Sequence, residues 1–165
     1  MSGRTVGFIG LGFMGEGMAT NLLTKGNRLV AMAHRKRDAI ERLIAKGAIE
    51  AKTPAEIAAQ SDAVFLCVTG SPQVEALIRG KDGILAGMRR GLYVIDCSTA
   101  EPTSTEALAK EIEAAGGKMI DAPLGGTPAG AAAGTLQALV GADPESFEAV
   151  RPLIACWAAT IVHVG

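Results

Sequence analysis

The sequence predicts an α/β fold: a doubly wound, mostly parallel sheet with helices on both faces. Three observations predict it. Strand-like and helix-like runs alternate along nearly the whole chain, as a parallel sheet with helical crossovers requires. Residues 62–68, Asp-Ala-Val-Phe-Leu-Cys-Val, form a continuous apolar run, which fits a strand covered on both faces. An apolar strand, a glycine-rich turn and a helix also follow one another directly in residues 5–23.

In chain order, Thr5–Ile9 is the first strand. Gly10-Leu11-Gly12-Phe13-Met14-Gly15 is the turn, and a helix runs from Glu16 through Leu23 to the stop at Lys25-Gly26. Residues 28–33 form a second strand. A helix over 37–46 places Ile40, Leu43 and Ile44 on one face and stops at Gly47. A short strand falls near 48–51. Thr53 caps a helix that carries Pro54 in its first turn and runs to Gln60. The apolar strand 62–68 follows, then a helix from Ser71-Pro72, a strand over 91–96, a helix over 102–115 and a short strand at Lys118–Asp121. The pattern then changes. Thr127-Pro128 starts a short Ala/Gly-rich helix, 135–140 is a strand, Asp143-Pro144 caps a helix to Ala155, and 160–164 is the last strand. With 165 residues and no repeat or linker, residues 1–165 read as one domain.

Composition narrows the function classes. Lysine plus arginine number 16 and aspartate plus glutamate 17, a net charge of -1, which argues against nucleic acid or an anionic membrane surface as partner. No apolar run reaches the length of a membrane span, and residues 1–4 lead into the first strand without a signal-peptide pattern. Cys67, Cys97 and Cys156 are an odd number, widely separated, with no metal-ligand spacing. Three buried thiols in a reducing compartment, the cytoplasm, is the expectation.

The glycine turn carries chemistry. A Gly-x-Gly-x-x-Gly between a strand and a helix holds a dinucleotide pyrophosphate. Gly10 allows the tight turn, Gly12 lets the backbone approach the phosphates, and Gly15 lets the helix pack on the strand. Unpaired N–H groups and the helix dipole then meet the negative charge. The fold is thereby Rossmann-like. In such a fold the end of the second strand selects the cofactor: an acidic residue there accepts the ribose hydroxyls of NAD. This chain has His34-Arg35-Lys36-Arg37 instead, followed by Asp38. The cationic cluster favours NADP over NAD, with Arg35 the candidate clamp on the 2′-phosphate. The alternative is a solvated basic loop.

Several segments resemble the β-hydroxyacid dehydrogenases, the group that includes 3-hydroxyisobutyrate dehydrogenase, tartronate semialdehyde reductase, glyoxylate reductases and, more distantly, 6-phosphogluconate dehydrogenase. Phe8-Ile9-Gly10-Leu11-Gly12-Phe13-Met14-Gly15, with Met18-Ala19 and Asn21-Leu22, is similar to their N-terminal signature. Asp96-Cys97-Ser98-Thr99-Ala100-Glu101-Pro102 resembles their Asp-x-Ser-Thr-x-x-Pro turn. Asp121-Ala122-Pro123-Leu124-Gly125-Gly126-Thr127, ending in Gly134-Thr135-Leu136, resembles their substrate loop.

The resemblance implies that Cys67, Val68 and Thr69 border the cofactor, where the family often has proline in place of Thr69. It implies that Ser98 and Thr99 contact the nicotinamide end, Ser98 also touching substrate; turn capping is the alternative for each. Gly125-Gly126-Thr127 falls where the family has Ser-Gly-Gly around the substrate carboxylate. Here glycine replaces the serine, and Thr127 supplies a hydroxyl, caps the helix, or does both. A sulfolactaldehyde-reductase-like branch carries threonine there, so the substrate need not be hydroxyisobutyrate.

The resemblance further implies hydride transfer with a small hydroxy acid or aldehyde acid, in a homo-oligomer. The catalytic lysine would lie on a helix beyond Gly165, so no residue of this chain is assigned the catalytic role. His163 on the closing strand is not expected to act as acid or base, and turn or capping roles account for Asp96 and Asp121. Without the helical domain, apolar surface is expected near the C-terminal strand. A non-catalytic dinucleotide-binding scaffold or sensor is the second reading.

Overall fold

A computed structural model of the chain describes residues 3–165. Six parallel strands form the central sheet: β1 Thr5–Ile9, β2 Arg28–Ala31, β3 Ile49–Glu50, β4 Ala63–Leu66, β5 Tyr93–Asp96 and β6 Lys118–Asp121. Their spatial order is β3-β2-β1-β4-β5-β6. The chain therefore winds outward from β1 on one side, then returns to β4 and winds outward on the other. This is the expected doubly wound arrangement, and its switch point lies between β1 and β4. Helices α1 Gly15–Thr24, α2 Asp38–Ala45, α3 Pro54–Gln60, α4 Ser71–Arg79 and α5 Pro102–Ala114 supply the crossovers.

Strand alternation sends successive side chains to opposite faces. Phe8 and Phe65, aligned in register and stacked at 6.0 Å, lie on one face with Ile95, Ile120, Met18 and Leu22. Ile9, Val64, Leu66 and Val94 lie on the other with Ile57, Ile78 and Ile112. Each buried large side chain of this kind is worth about 2–5 kcal/mol against truncation to alanine.

The change of pattern after Asp121 is a change of sheet. β7 Leu124–Gly125, β8 Leu136–Val140 and β9 Ala158–His163 form a separate three-stranded sheet, with α6 Pro128–Ala133 and α7 Pro144–Ile154 between them. β7 runs antiparallel to β8 and β9 parallel to it. A single antiparallel bridge between Asp121 and Gly141 joins the two sheets. Trp157 is fully buried and packs edge-on against Phe65 at 6.1 Å.

Two elements escape a reading by pattern. β7 is only two residues long in a Gly/Pro-rich segment, and a 3-10 turn at Ile84–Gly87 buries Ile84. Neither is long enough to show a period. Other strands are shorter than expected, β2 ending at Ala31 and β4 at Leu66, whereas β9 begins earlier, at Ala158.

Caps agree with expectation. The hydroxyls of Thr53 and Thr127 accept the amides of Glu56 and Gly130, and the Asp143 carboxylate accepts that of Ser146. Leu139 and Val162, aligned across β8 and β9, are both exposed, as is Val164; this is the apolar surface expected near the C-terminal strand. Among the described residues no helix is long and apolar enough to cross a membrane.

Candidate cofactor site

The turn between β1 and α1 sits at the switch point. Gly10 has φ 107°, and a Cβ there would overlap the Cys67 carbonyl on the neighbouring loop. A Cβ on Gly15 would overlap the Gly10 carbonyl and press on the Phe8 ring. These two glycines are demanded by the fold itself. Gly12 differs: it is exposed, and a Cβ there would meet nothing within 4 Å. Its lack of a side chain serves no internal contact, so the open space beside its backbone fits a ligand. α1 begins without a side-chain cap, leaving its N-terminal amides and dipole to the turn. Glu16, in the first turn, would oppose an anion. Arg42 of α2 grips it in a fork at 2.5 and 2.9 Å, and that bond holds its carboxyl below its ordinary range. Leu11 and Met14 pack on the core, whereas Phe13 is 92% exposed.

The basic cluster after β2 is divided. Arg37 is bound to Glu50 at 2.9 and 3.0 Å and lies within 3.4 Å of Glu41. His34, Arg35 and Lys36 are exposed and form no ion pair among the described residues. Three of the four side chains thus face solvent unengaged at the strand end.

On the other side of β1, loops follow β4 and β5. Cys67 is half-buried; burial, aided by the charge of Asp96, pushes its thiol up to about 11, which disfavours the thiolate at neutral pH. Val68 donates its amide to Ser98 Oγ at 2.9 Å, and Glu101 donates its amide to Ser71 Oγ at 2.8 Å. Ser98 is buried and its hydroxyl is engaged in joining the loops, whereas Thr99 is exposed. Asp96 is fully buried. Its Oδ1 accepts the Ser98 amide at 2.9 Å, and its Oδ2 has no partner. Burial pushes its carboxyl above its ordinary range, and the hydrogen bonds from Ser98 oppose this only in part. Asp121, its register partner on β6, is pushed the same way by burial and by the charge of Asp96.

Gly125, Gly126 and Thr127 lie on the exposed crossing from β7 to α6. Their position depends on α1. A Cβ on Gly17 would press on the Ala131 backbone at 2.7 Å, so the two helices touch. Asn21 Nδ2 donates to the Ala131 and Ala132 carbonyls at 2.9 and 3.1 Å, and to Gly17 at 3.0 Å. The i, i+4 spacing of Gly17 and Asn21 is the sequence signal for this docking. The helix that carries the turn therefore also carries the glycine loop. His163 stacks on Phe147 at 4.2 Å and contacts the Ala142 carbonyl at 2.7 Å, away from both.

Residues 5–165 match the family model described as the NAD binding domain of 6-phosphogluconate dehydrogenase. The chain belongs to that family, within the β-hydroxyacid dehydrogenases. It is 40% identical over 162 residues to the NAD-dependent L-serine dehydrogenase of Pseudomonas aeruginosa, covering 98% of this chain and 54% of that protein. Its fold matches that of Mycobacterium tuberculosis 3-hydroxyisobutyrate dehydrogenase with L-serine at a TM-score of 0.91 and 29% identity, covering 99% and 55% of the two chains. It also matches Psf3 in complex with NADP+ and 2-OPP at a TM-score of 0.89 and 34% identity, covering 96% and 56%. The chain thus spans about half the length of the relatives it matches. One of these proteins is named for NAD and another is bound to NADP+, so family membership alone does not fix the choice of cofactor.

Proposed function

We propose that this chain is the NADP-selective cofactor domain of a longer oxidoreductase, which transfers hydride between the nicotinamide and a small hydroxy acid or its semialdehyde. The observation that carries the selectivity is the unpaired His34-Arg35-Lys36 at the end of β2, one strand away from the uncapped glycine turn. A 2′-phosphate carries charge that a guanidinium meets bidentately, whereas the ribose hydroxyls of NAD offer Arg35 no such charge. Gly10, Leu11, Gly12, Phe13, Met14 and Gly15 hold the pyrophosphate. With the adenosine over β2, the strand order supports a nicotinamide directed toward the loops after β4 and β5, bordered by Cys67, Val68, Thr69, Ser98 and Thr99.

The bound cofactor supplies or accepts the hydride. The chain's own residues orient the two reactants. L-serine and 3-hydroxyisobutyrate, named with relatives, share a carboxylate and a hydroxyl on the carbon β to it. The exposed backbone at Gly125 and Gly126 and the Thr127 hydroxyl, whose oxygen already caps α6, suit the carboxylate of such a substrate, beside Ser98. None of this chain's residues is assigned as the proton partner of the hydride step. Three free cysteines support a reducing compartment, the cytoplasm.

Calorimetric titration of this chain with NADPH and NADH tests the reading. NADPH is expected to bind at least about tenfold more tightly, the worth of one charge-assisted pair. Arg35→Ala should abolish the preference and leave NADH affinity unchanged. Equal or tighter binding of NADH would make the basic cluster a solvated loop.

A further inference from the structure

We propose that Asp96 is a positioning residue for the nicotinamide half of the cofactor site: it sets the spacing of the loops after β4 and β5. The inference rests on the dinucleotide reading above, and it assigns work to a residue that turn formation alone does not explain.

A fully buried carboxylate with one oxygen unpartnered is expensive, and a core position at a strand end accepts an apolar residue more cheaply. What Asp96 provides in return is a relay. Its Oδ1 accepts the Ser98 amide and closes an Asx turn directly after β5. That turn aims Ser98 Oγ across to the next loop, where it accepts the Val68 amide at 2.9 Å. Val68 follows Cys67, whose amide bonds to the Ile9 carbonyl at 2.9 Å and whose carbonyl is the atom against which Gly10 packs. Asp96 is therefore connected to the start of the glycine turn through two hydrogen bonds, the Val68–Cys67 peptide link and the packing of the Cys67 carbonyl on Gly10. A second tie, from the Glu101 amide to Ser71 Oγ, closes the outer end of the same pair of loops, and Thr99 places its carbonyl 3.5 Å from the Cβ position of Gly70. Without the Asx turn the Ser98–Val68 tie is lost, and the two loops are joined only by the ladder bond from the Cys97 amide to the Leu66 carbonyl at 2.8 Å and by the outer tie at Ser71. The stretch between these two anchors, which carries Val68, Thr69, Ser98 and Thr99, would then be free to spread.

The experiment separates the two halves of the site. NADPH spans both, whereas adenosine 2′,5′-bisphosphate occupies only the half over β2 and the glycine turn. Asp96→Ala is expected to weaken NADPH about tenfold and to leave adenosine 2′,5′-bisphosphate within about twofold of the unaltered chain. Asp96→Asn keeps an acceptor for the Ser98 amide and should restore NADPH binding to within about threefold. Ser98→Ala keeps the buried carboxyl but cuts the tie to Val68, and should repeat the loss. It also carries the test if Asp96→Ala fails to fold. A loss shared equally by both ligands, an Asn variant as weak as the Ala variant, or unchanged NADPH binding in Ser98→Ala would overturn the assignment. If the unaltered chain binds neither ligand, the cofactor reading itself falls, and the inference with it.

Discussion

The turn after β1 and the loops after β4 and β5 face each other across the switch point, and they hold their shapes by different means. The first is made of backbone. Gly10 and Gly15 are fixed by contacts in which a single added carbon would strike a carbonyl, and no side-chain hydrogen bond caps the helix that follows. The second is made of side chains. Asp96, Ser98 and Ser71 each spend a polar group on an amide in or across the loops. A backbone-built turn leaves its N–H groups and dipole free for a ligand, which suits phosphate. A side-chain-built loop fixes distances between two strands, which suits the positioning of a ring.

The sharpest way to break this comparison is inside the glycine turn. Gly10→Ala forces a side chain into φ 107° and against the Cys67 carbonyl. A positive φ alone costs about 1–2 kcal/mol for a residue other than glycine, and the overlap adds to it, so both stability and NADPH binding should collapse. Gly12→Ala meets no atom and no positive φ. Its melting temperature should stay within about 1 °C of the unaltered chain, while NADPH affinity falls by about a hundredfold or more. Thermal denaturation and titration of the two variants read this directly. A Gly12→Ala chain that still binds NADPH would mean that the open space beside Gly12 is not where the phosphates lie.

The same contrast governs what was legible in the sequence. The glycine turn and the cap residues Thr53, Thr127 and Asp143 are local codes, each read within about six neighbouring residues, and each takes the form expected. The ties from Ser98 to Val68 and from Ser71 to Glu101 link residues 30 apart. Ser71 reads locally as a helix start and Asp96 as a turn former; only the register of β4 against β5 reveals what else they hold. β7 was invisible because two residues carry no period, and the second sheet because its strands pair across a helix and a long crossover. Within the basic cluster, the sequence singles out Arg35 as the candidate clamp but does not show whether Arg37 beside it is free. The pairing of Arg37 with Glu50, which depends on β2 lying beside β3, is what sets it apart from the other three.

A middle case sharpens the comparison. Asn21 is a side-chain tie placed on the backbone-built half: it leaves α1 to hold α6 and the glycine loop that follows β7. Asn21→Ala removes these bonds and leaves the Ala131 and Ala132 carbonyls without them, at a cost of about 1–3 kcal/mol in urea denaturation. Because Asn21 touches no residue of the turn, NADPH affinity should stay within about threefold. A collapse of cofactor binding would show that the turn, too, depends on distant side chains, and the contrast would fail.

The smallest expected effect concerns the charge of Asp96. Burial raises its carboxyl above the ordinary range in the folded chain. The unfolded carboxyl ionises at the lower, ordinary pKa, about 3.9. Between the two values the unfolded chain has released a proton that the folded chain retains, so stability falls as pH rises through that window. Asp121, raised partly by the same neighbour, adds to the slope. Glu16, Glu50, Glu111 and Asp143 are lowered by their partners and act in the opposite sense, losing stability as pH falls, but they are the same in both chains and cancel in a difference. Asparagine at position 96 does not titrate. The melting temperature of Asp96→Asn minus that of the unaltered chain should therefore be constant in strong acid, then increase as pH rises past the ordinary carboxyl range, and level off once Asp96 is ionised in the folded state. A difference that stays flat across this range would mean that the buried carboxylate carries no ionisation penalty. The side-chain-built half of the site would then be held at no electrostatic cost, and the physical reason for treating it as a specialised device would be gone.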